Sequence, residues 1–180
     1  KTDVPTPEPG EVLVRTHAVG ICGSDVHIYH GRLVFVTYPR VPGHELSGVV
    51  VGLGSGVEGF AEGDRVAVNP TLSCGQCYPC SLGRGNCCVQ VKCLGVHCDG
   101  GFREYLAVPA GNAHRIPDDM TFETAALIEP LSIGLQATRR GRVSAGDTVA
   151  IIGAGAIGLC ALQHAKVEGA LVAIGDACAS

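Results

Sequence analysis

DTVAIIGAGAIGLCALQHAKVEGALVAIGD, residues 147–176, contains two short apolar runs with a glycine-punctuated turn and a helical stretch between them. VAIIG and LVAIG are rich in β-branched residues and carry no charge, the pattern of strands buried on both faces. LCALQHAKVEGA between them has helical composition, so the stretch reads β-α-β, the unit of a parallel α/β sheet. Gly153, Gly155 and Gly158 form G-x-G-x-x-G where the first strand gives way to the helix. In that setting backbone N–H groups at a helix N-terminus can cradle a pyrophosphate. Asp176 ends the second strand, where a carboxylate accepts a ribose 2′-OH and repels a 2′-phosphate, which favours NAD over NADP.

Upstream the texture changes. DDMTFETAALIEPLSIGLQATRRG (118–141) has apolar residues at helical spacing, with Thr121 as N-cap and Gly141 as a stop. Pro130 predicts a break or kink just after Glu129. Before Asp118 the chain alternates. EVLVRTHAV (11–19), ELSGVVVGLGSGV (45–57), DRVAVNP (64–70) and two runs within 100–117 read as short strands joined by Gly/Pro turns, an all-β barrel or sandwich.

The composition narrows the function classes. At 46% hydrophobic and 17% charged residues the chain can pack a core rather than remain disordered. A net charge of -4 and the lack of a basic helix argue against nucleic acid or an anionic membrane as partner. The apolar stretch 149–162 is too short to span a bilayer and is broken by glycines. The polar, Pro-rich start KTDVPTPEPGE does not read as a signal peptide. Ten cysteines without a secretion signal then suggest a reducing cytoplasmic setting, with thiolates serving metal.

Cys74, Cys77, Cys80 and Cys88 have two, two and seven residues between them, and Gly75, Pro79, Gly83 and Gly85 supply the turns. Four thiolates so close suit a closed tetrahedral zinc site, with Cys87 a rival to Cys88 as the fourth ligand. A second candidate set is Cys22, beside a glycine at the end of an apolar strand, with His44 and Glu45 just after the Pro42-Gly43 turn. Three protein ligands with one open position is the arrangement of a catalytic zinc.

GHELSGVVVGLG, GICGSDVH, the four-cysteine spacing and the G-x-G-x-x-G turn together resemble zinc-containing alcohol dehydrogenases of the medium-chain dehydrogenase/reductase superfamily. ALIEPLSIGLQATRRG, TYPRVPGHE and LGVHCDGGFREYLAVP are similar to its sorbitol, polyol and sugar-acid group. The resemblance implies a GroES-like β-barrel catalytic domain over 1–130, with its cysteine lobe at 74–88, and the start of a Rossmann NAD-binding domain over 131–180. The chain then reads as a fragment of a two-domain enzyme. Cys22, His44 and Glu45 would hold the catalytic zinc, and Glu129 would bind it directly or through water. Asp25 would accept a hydrogen bond from His44, while Ser24 and His27 would relay the alcohol proton to solvent. Tyr29, His30 and Phe35 are candidates for lining the substrate pocket.

The implied activity is hydride transfer between NAD(H) and the CH–OH group of a polyol, sugar acid or secondary alcohol, by a cytoplasmic homo-oligomer, a dimer or tetramer. An L-threonine 3-dehydrogenase or a simple alcohol dehydrogenase competes with that reading, although Glu129 stands where simple alcohol dehydrogenases carry a cysteine. A non-catalytic, zinc-stabilised nucleotide-binding protein is a third reading. The intact Cys22, His44 and Glu45 set speaks against it, because a binding protein has no use for an open metal site.

Overall fold

The computed structural model describes residues 3–177. The chain forms two compact units, Lys1–Leu127 and Ile128–Ser180. The sequence reading divides it on Pro130; the contacts divide it at Leu127.

In the first unit, β1 (Glu11–Gly20), β2 (Glu45–Leu53), β3 (Arg65–Val68), β6 (Tyr105–Pro109) and β7 (Ala113–Arg115) form one antiparallel sheet in the order β6-β1-β2-β3-β7. Alternation sets its inner face. Val12 and Val14 on β1, Val50 on β2, Val66 on β3 and Val108 on β6 are fully buried in one cluster with Leu46 and Leu106. Each such side chain contributes roughly 1.5–3 kcal/mol by leaving water. β6 and β7 are the outer strands, yet only the 3₁₀ turn Ala110–Asn112 joins them. Four residue steps reach at most ~14 Å even when extended. Across a flat five-stranded sheet the edges would lie ~19 Å apart. The sheet must therefore curl until its edges approach, which selects the barrel from the two forms, barrel or sandwich, that the strand pattern allows.

Two pieces of the first unit were not read from the sequence. Gly23–Tyr29 is a helix, α1, starting directly after Cys22. Thr71–Leu72 (β4) and Lys92–Cys93 (β5) pair as a small ribbon flanking the cysteine lobe, which contains the one-turn helix α2 (Tyr78–Ser81).

The stretch from residue 118 forms two helices, α3 (Phe122–Ala126) and α4 (Ile128–Gly141). Thr121 caps α3 as expected, its hydroxyl accepting the Thr124 N–H at 3.1 Å. The break expected after Glu129 falls instead at Leu127. Pro130 lies in the first turn of α4, where a backbone N–H has no helical partner to lose and proline is tolerated. α4 ends at Gly141, and Arg142 takes the left-handed conformation with φ 53°.

In the second unit β8 (Thr148–Ile152) and β9 (Leu171–Gly175) pair in parallel through the crossover helix α5 (Ala156–Val167). α5 packs on α4 where Gly134 meets Cys160, and a Cβ there would lie 2.6 Å from the Cys160 backbone. The His164 ring bonds the Leu131 carbonyl at 2.9 Å across the same pair. Among the described residues no helix is long and apolar enough to cross a membrane.

Candidate metal centre

Cys22, His44 and Glu45 come together from two stretches of chain. Cys22 is the N-cap of α1, His44 ends the loop before β2, and Glu45 opens β2 opposite Gly20. Their ligand atoms all lie within 4.8 Å of one another. His44 and Glu45 are each 8% exposed.

Asp25, itself 4% exposed, organises this corner. One carboxylate oxygen accepts the Cys22 N–H at 2.8 Å, and the other accepts the Gly43 N–H at 3.1 Å. A single buried carboxylate thus ties the start of α1 to the loop that carries His44. The expected hydrogen bond to His44 is longer than that: Nδ1 stands 3.7 Å from the Asp25 oxygen, beyond hydrogen-bond range. The short bonds of Asp25 go to backbone N–H groups instead, one on each oxygen. Nδ1 is buried without a hydrogen-bond partner, facing an anion. That placement leaves Nε2 as the ring nitrogen for a cation.

The loop beneath His44 is held from the other side. Val41, Pro42 and Gly43 carbonyls accept N–H bonds from Gly100, Phe102 and Gly101 at 2.7, 3.0 and 2.8 Å respectively. Asp99 Oδ1 accepts both the Val41 N–H at 3.1 Å and the Arg40 guanidinium at 3.0 Å. Gly43 has φ +96°, and a side chain there would press on the Phe102 backbone. A thiolate, an imidazole and a carboxylate are all good zinc ligands, so the donor set fits that ion.

Ser24 is half-buried in the first turn of α1, and His27 is exposed in its last turn, one helical turn along. Glu129 is half-buried in the first turn of α4, in the second unit, whereas the gathered ligands Cys22, His44 and Glu45 belong to the first.

Cys74, Cys77, Cys80 and Cys88 form the other cluster, again with ligand atoms within 4.8 Å. Cys88 is buried and belongs to it; the rival Cys87 is exposed and does not. The Cys74 and Gln90 N–H groups each donate to the Cys88 sulfur at 3.3 Å and pull its thiol down. The Val89 N–H, with that of Cys80, lowers the Cys77 thiol to about 6. Sharing the site with Cys77, whose sulfur lies 3.3 Å away, pushes Cys80 up to about 11. Backbone N–H groups thus favour the thiolate at Cys77 and Cys88, while Cys80 gives up its proton to a metal ion.

The third expected site lies in the second unit. Gly153 has φ +102°, and its N–H donates to the Gly175 carbonyl at 2.7 Å. Gly155 is the N-cap of α5. A Cβ on Gly158 would collide with the Gly153 carbonyl, so the helix approaches the turn this closely only because residue 158 is glycine, while Gly153 is needed for its positive φ. Asp176 follows β9, and its carboxylate accepts the Ala154 N–H at 2.8 Å. The acid thus stands at the glycine turn, as the β-α-β reading requires.

Sequence reasoning missed the grip of Asp25 on backbone N–H groups and the role of Asp99. Cys22 and Asp25 are three apart, the capping-box spacing, which was the available signal for the first. The Gly-Gly pair after Asp99, which allows close backbone approach, was the signal for the second.

Comparison with known proteins places this geometry. The starvation-sensing protein RspB of Escherichia coli (strain K12) is 51% identical over 164 residues, covering 91% of this chain and 48% of that protein. The sorbitol dehydrogenase of Bacillus subtilis (strain 168) is 44% identical over 171 residues, covering 93% and 48%. The crystal structure of the alcohol dehydrogenase rspB from E. coli CFT073, complexed with NADH, superposes with TM-score 0.85 at 43% identity, covering 97% of this chain and 58% of that one. The chain spans about half the length of these relatives. Residues 8–118, most of the first unit with both cysteine-containing sites, match the alcohol dehydrogenase GroES-like domain, and the chain belongs to that family.

Proposed function

We propose that this chain carries the metal-binding domain and the first nucleotide-binding elements of a zinc-dependent oxidoreductase. The enzyme transfers hydride between NAD(H) and the CH–OH group of a polyol, sugar acid or secondary alcohol. One observation carries the reading: Cys22, His44 and Glu45 place a thiol, a ring nitrogen and a carboxylate within 4.8 Å of one another beside the buried Asp25.

Zinc bound by this set supplies Lewis-acid polarisation of a substrate oxygen, and NAD supplies the hydride acceptor. The chain's own groups do the rest. Asp25 fixes α1 and the His44 loop in one register, so the two ligands cannot drift apart. Ser24, half-buried beside Cys22, accepts the substrate hydroxyl proton while giving up its own, and the relay runs in part through the nicotinamide ribose to His27, which is exposed and can release the proton to water. Glu129 completes the ligand set directly or through water. Cys74, Cys77, Cys80 and Cys88 hold a second, structural zinc. The Gly153-Gly155-Gly158 turn seats the pyrophosphate, and Asp176 receives the ribose hydroxyls, which opposes a 2′-phosphate and favours NAD.

The test uses the complete protein that contains this chain. Elemental analysis should find two zinc ions per polypeptide, and NADH should form with at least one member of a panel of polyols, sugar acids, secondary alcohols and L-threonine. A single zinc, retained in a Cys22→Ser variant, together with no turnover on the panel, would defeat the reading.

A further inference from the structure

Three glycines on the paired strands β1 and β2 lie close to neighbours, and they differ in what stands in the way of a side chain. A Cβ on Gly52 would rest 3.5 Å from Leu13, an ordinary contact, so that position accepts a side chain. A Cβ on Gly48 would strike the Arg15 carbonyl, a backbone obstacle that cannot yield, so that glycine serves the fold. Gly20 belongs to neither class. All three heavy atoms nearest its Cβ position belong to the side chain of Glu45, its cross-strand partner: the carboxylate oxygen Oε2 in collision, Cβ at 3.1 Å and Cδ at 3.2 Å.

We infer that Gly20 is a positioning residue for the metal centre: its missing side chain is the space in which the Glu45 carboxylate sits while facing Cys22 and His44. The inference rests on the zinc reading above and deepens it. The backbone itself does not require glycine here, because Gly20 closes β1 and carries no positive φ. The requirement comes entirely from Glu45. A methyl group at residue 20 and the carboxylate in its present place cannot coexist. The strand pair needs to give only slightly, since the one obstructing atom fixed to the backbone is the Glu45 Cβ at 3.1 Å, whereas the collision is with the far end of the side chain. The flexible end of the side chain must move instead, which takes Oε2 from its present place in the cluster where the Cys22, His44 and Glu45 ligand atoms lie within 4.8 Å of one another. A glycine in a strand weakens that strand, so its presence at this position is accounted for by the site rather than by the sheet.

The test separates the two metal sites within one molecule. The complete protein is titrated with zinc in a metal buffer and alkylated with iodoacetamide, and protection of Cys22 and Cys77 is read peptide by peptide in a mass spectrometer. Four proteins are compared: wild type, Gly20→Ala, Glu45→Ala and the double variant. Gly20→Ala should raise the free zinc that half-protects Cys22 by at least ~10-fold, the lower end for a residue that orients a ligand. The Cys77 curve should not move. In the Glu45→Ala background Gly20→Ala should add nothing, because the two residues act through one carboxylate.

The inference is overturned by an unchanged Cys22 curve in Gly20→Ala. A Cys77 curve that shifts together with Cys22 also overturns it, since the substitution would then act through the fold. So does a Gly20→Ala penalty that persists undiminished when residue 45 is alanine. Failure of the zinc reading looks different: wild-type Cys22 would stay unprotected at zinc levels that protect Cys77.

Discussion

β2 in the first unit and β8 in the second are both short strands rich in β-branched residues, yet Val50 is fully buried and Ile152 is 98% exposed. β2 is paired on both sides, by β1 and β3, in a sheet whose strands come from positions far apart in the chain. Among the described residues β8 is paired only with β9, and α5 packs on the pair, so residues alternate between half-buried and open. The difference shows what each unit's site depends on. The metal ligands are placed by long-range contacts: Cys22, His44 and Glu45 meet because β1, β2 and the loop 95–102 lock together, with Asp25 tying α1 to the His44 loop. The glycine turn is placed by neighbours within one β-α-β unit. The first site therefore depends on a complete core, and the second on local geometry.

The largest expected effect follows from that separation. His44→Ala in the complete enzyme should lower kcat/KM about 10³-fold, the scale of several kcal/mol of lost transition-state stabilisation. NAD affinity, measured by fluorescence titration of NADH, should change little, because His44 belongs to the first unit and the glycine turn is held by bonds within the second. Comparable losses of both would mean that the two units do not function as separable parts.

Next in size is the pH dependence of the cysteine lobe. Cys77 is held down to about 6 and Cys80 is pushed up to about 11. Between those values zinc must displace the Cys80 proton but finds Cys77 already ionised. Below about 6 it must displace the Cys77 proton as well. Zinc affinity should therefore fall more steeply with acid below pH 6 than above it, read as the free zinc that half-protects Cys77 from alkylation. A slope that does not change through that pH would show that Val89 and Cys80 do not preset the Cys77 thiolate.

Smaller again is Asp25→Asn. It should weaken zinc binding at the Cys22 site by roughly 10- to 100-fold while leaving the lobe loaded. The amide has one acceptor oxygen where the carboxylate has two, so one of the bonds to Cys22 and Gly43 is lost together with the negative charge near His44. An unchanged Cys22 site would mean that the 95–102 loop alone sets the position of His44.

How much of this could be read in advance follows the same division. The β-α-β stretch was legible because its signals are local: a strand, three glycines, a helix and an acid in sequence order. The metal residues were legible as types at turns. The room that Gly20 leaves for Glu45 was not, because it is a distance across a strand pair, and no spacing in the sequence encodes it. Asp25 was read as a partner of His44, but its shorter bonds are to backbone N–H groups, which every residue but proline carries and which sequence therefore does not mark. Pro130 misled for a different reason. Proline forbids a helix interior but not a first turn, and which of these applied depended on where Leu127 ended the preceding helix.

The smallest expected effect tests the comparison most directly, with the same polar residue introduced on both strands. Val50→Thr puts a hydroxyl into a fully buried site among Val12, Val14 and Leu106 and should cost about 1–3 kcal/mol in urea unfolding. Ile152→Thr changes a side chain that is 98% exposed, so in the 180-residue chain it should stay within about 0.5 kcal/mol. Threonine is as strand-compatible as isoleucine, so backbone propensity does not confuse the pair. A large cost for Ile152→Thr in the chain alone would show that something covers the open face of β8, a second copy being the simplest candidate, and concentration-dependent unfolding would identify it. The pair can then be repeated in a longer protein that contains this chain. There, a rise in the Ile152→Thr cost towards the Val50→Thr value would show that further chain closes the second core. A cost that stays near zero would mean that β8 keeps its open face, and the contrast between the two units would then be a property of the protein itself.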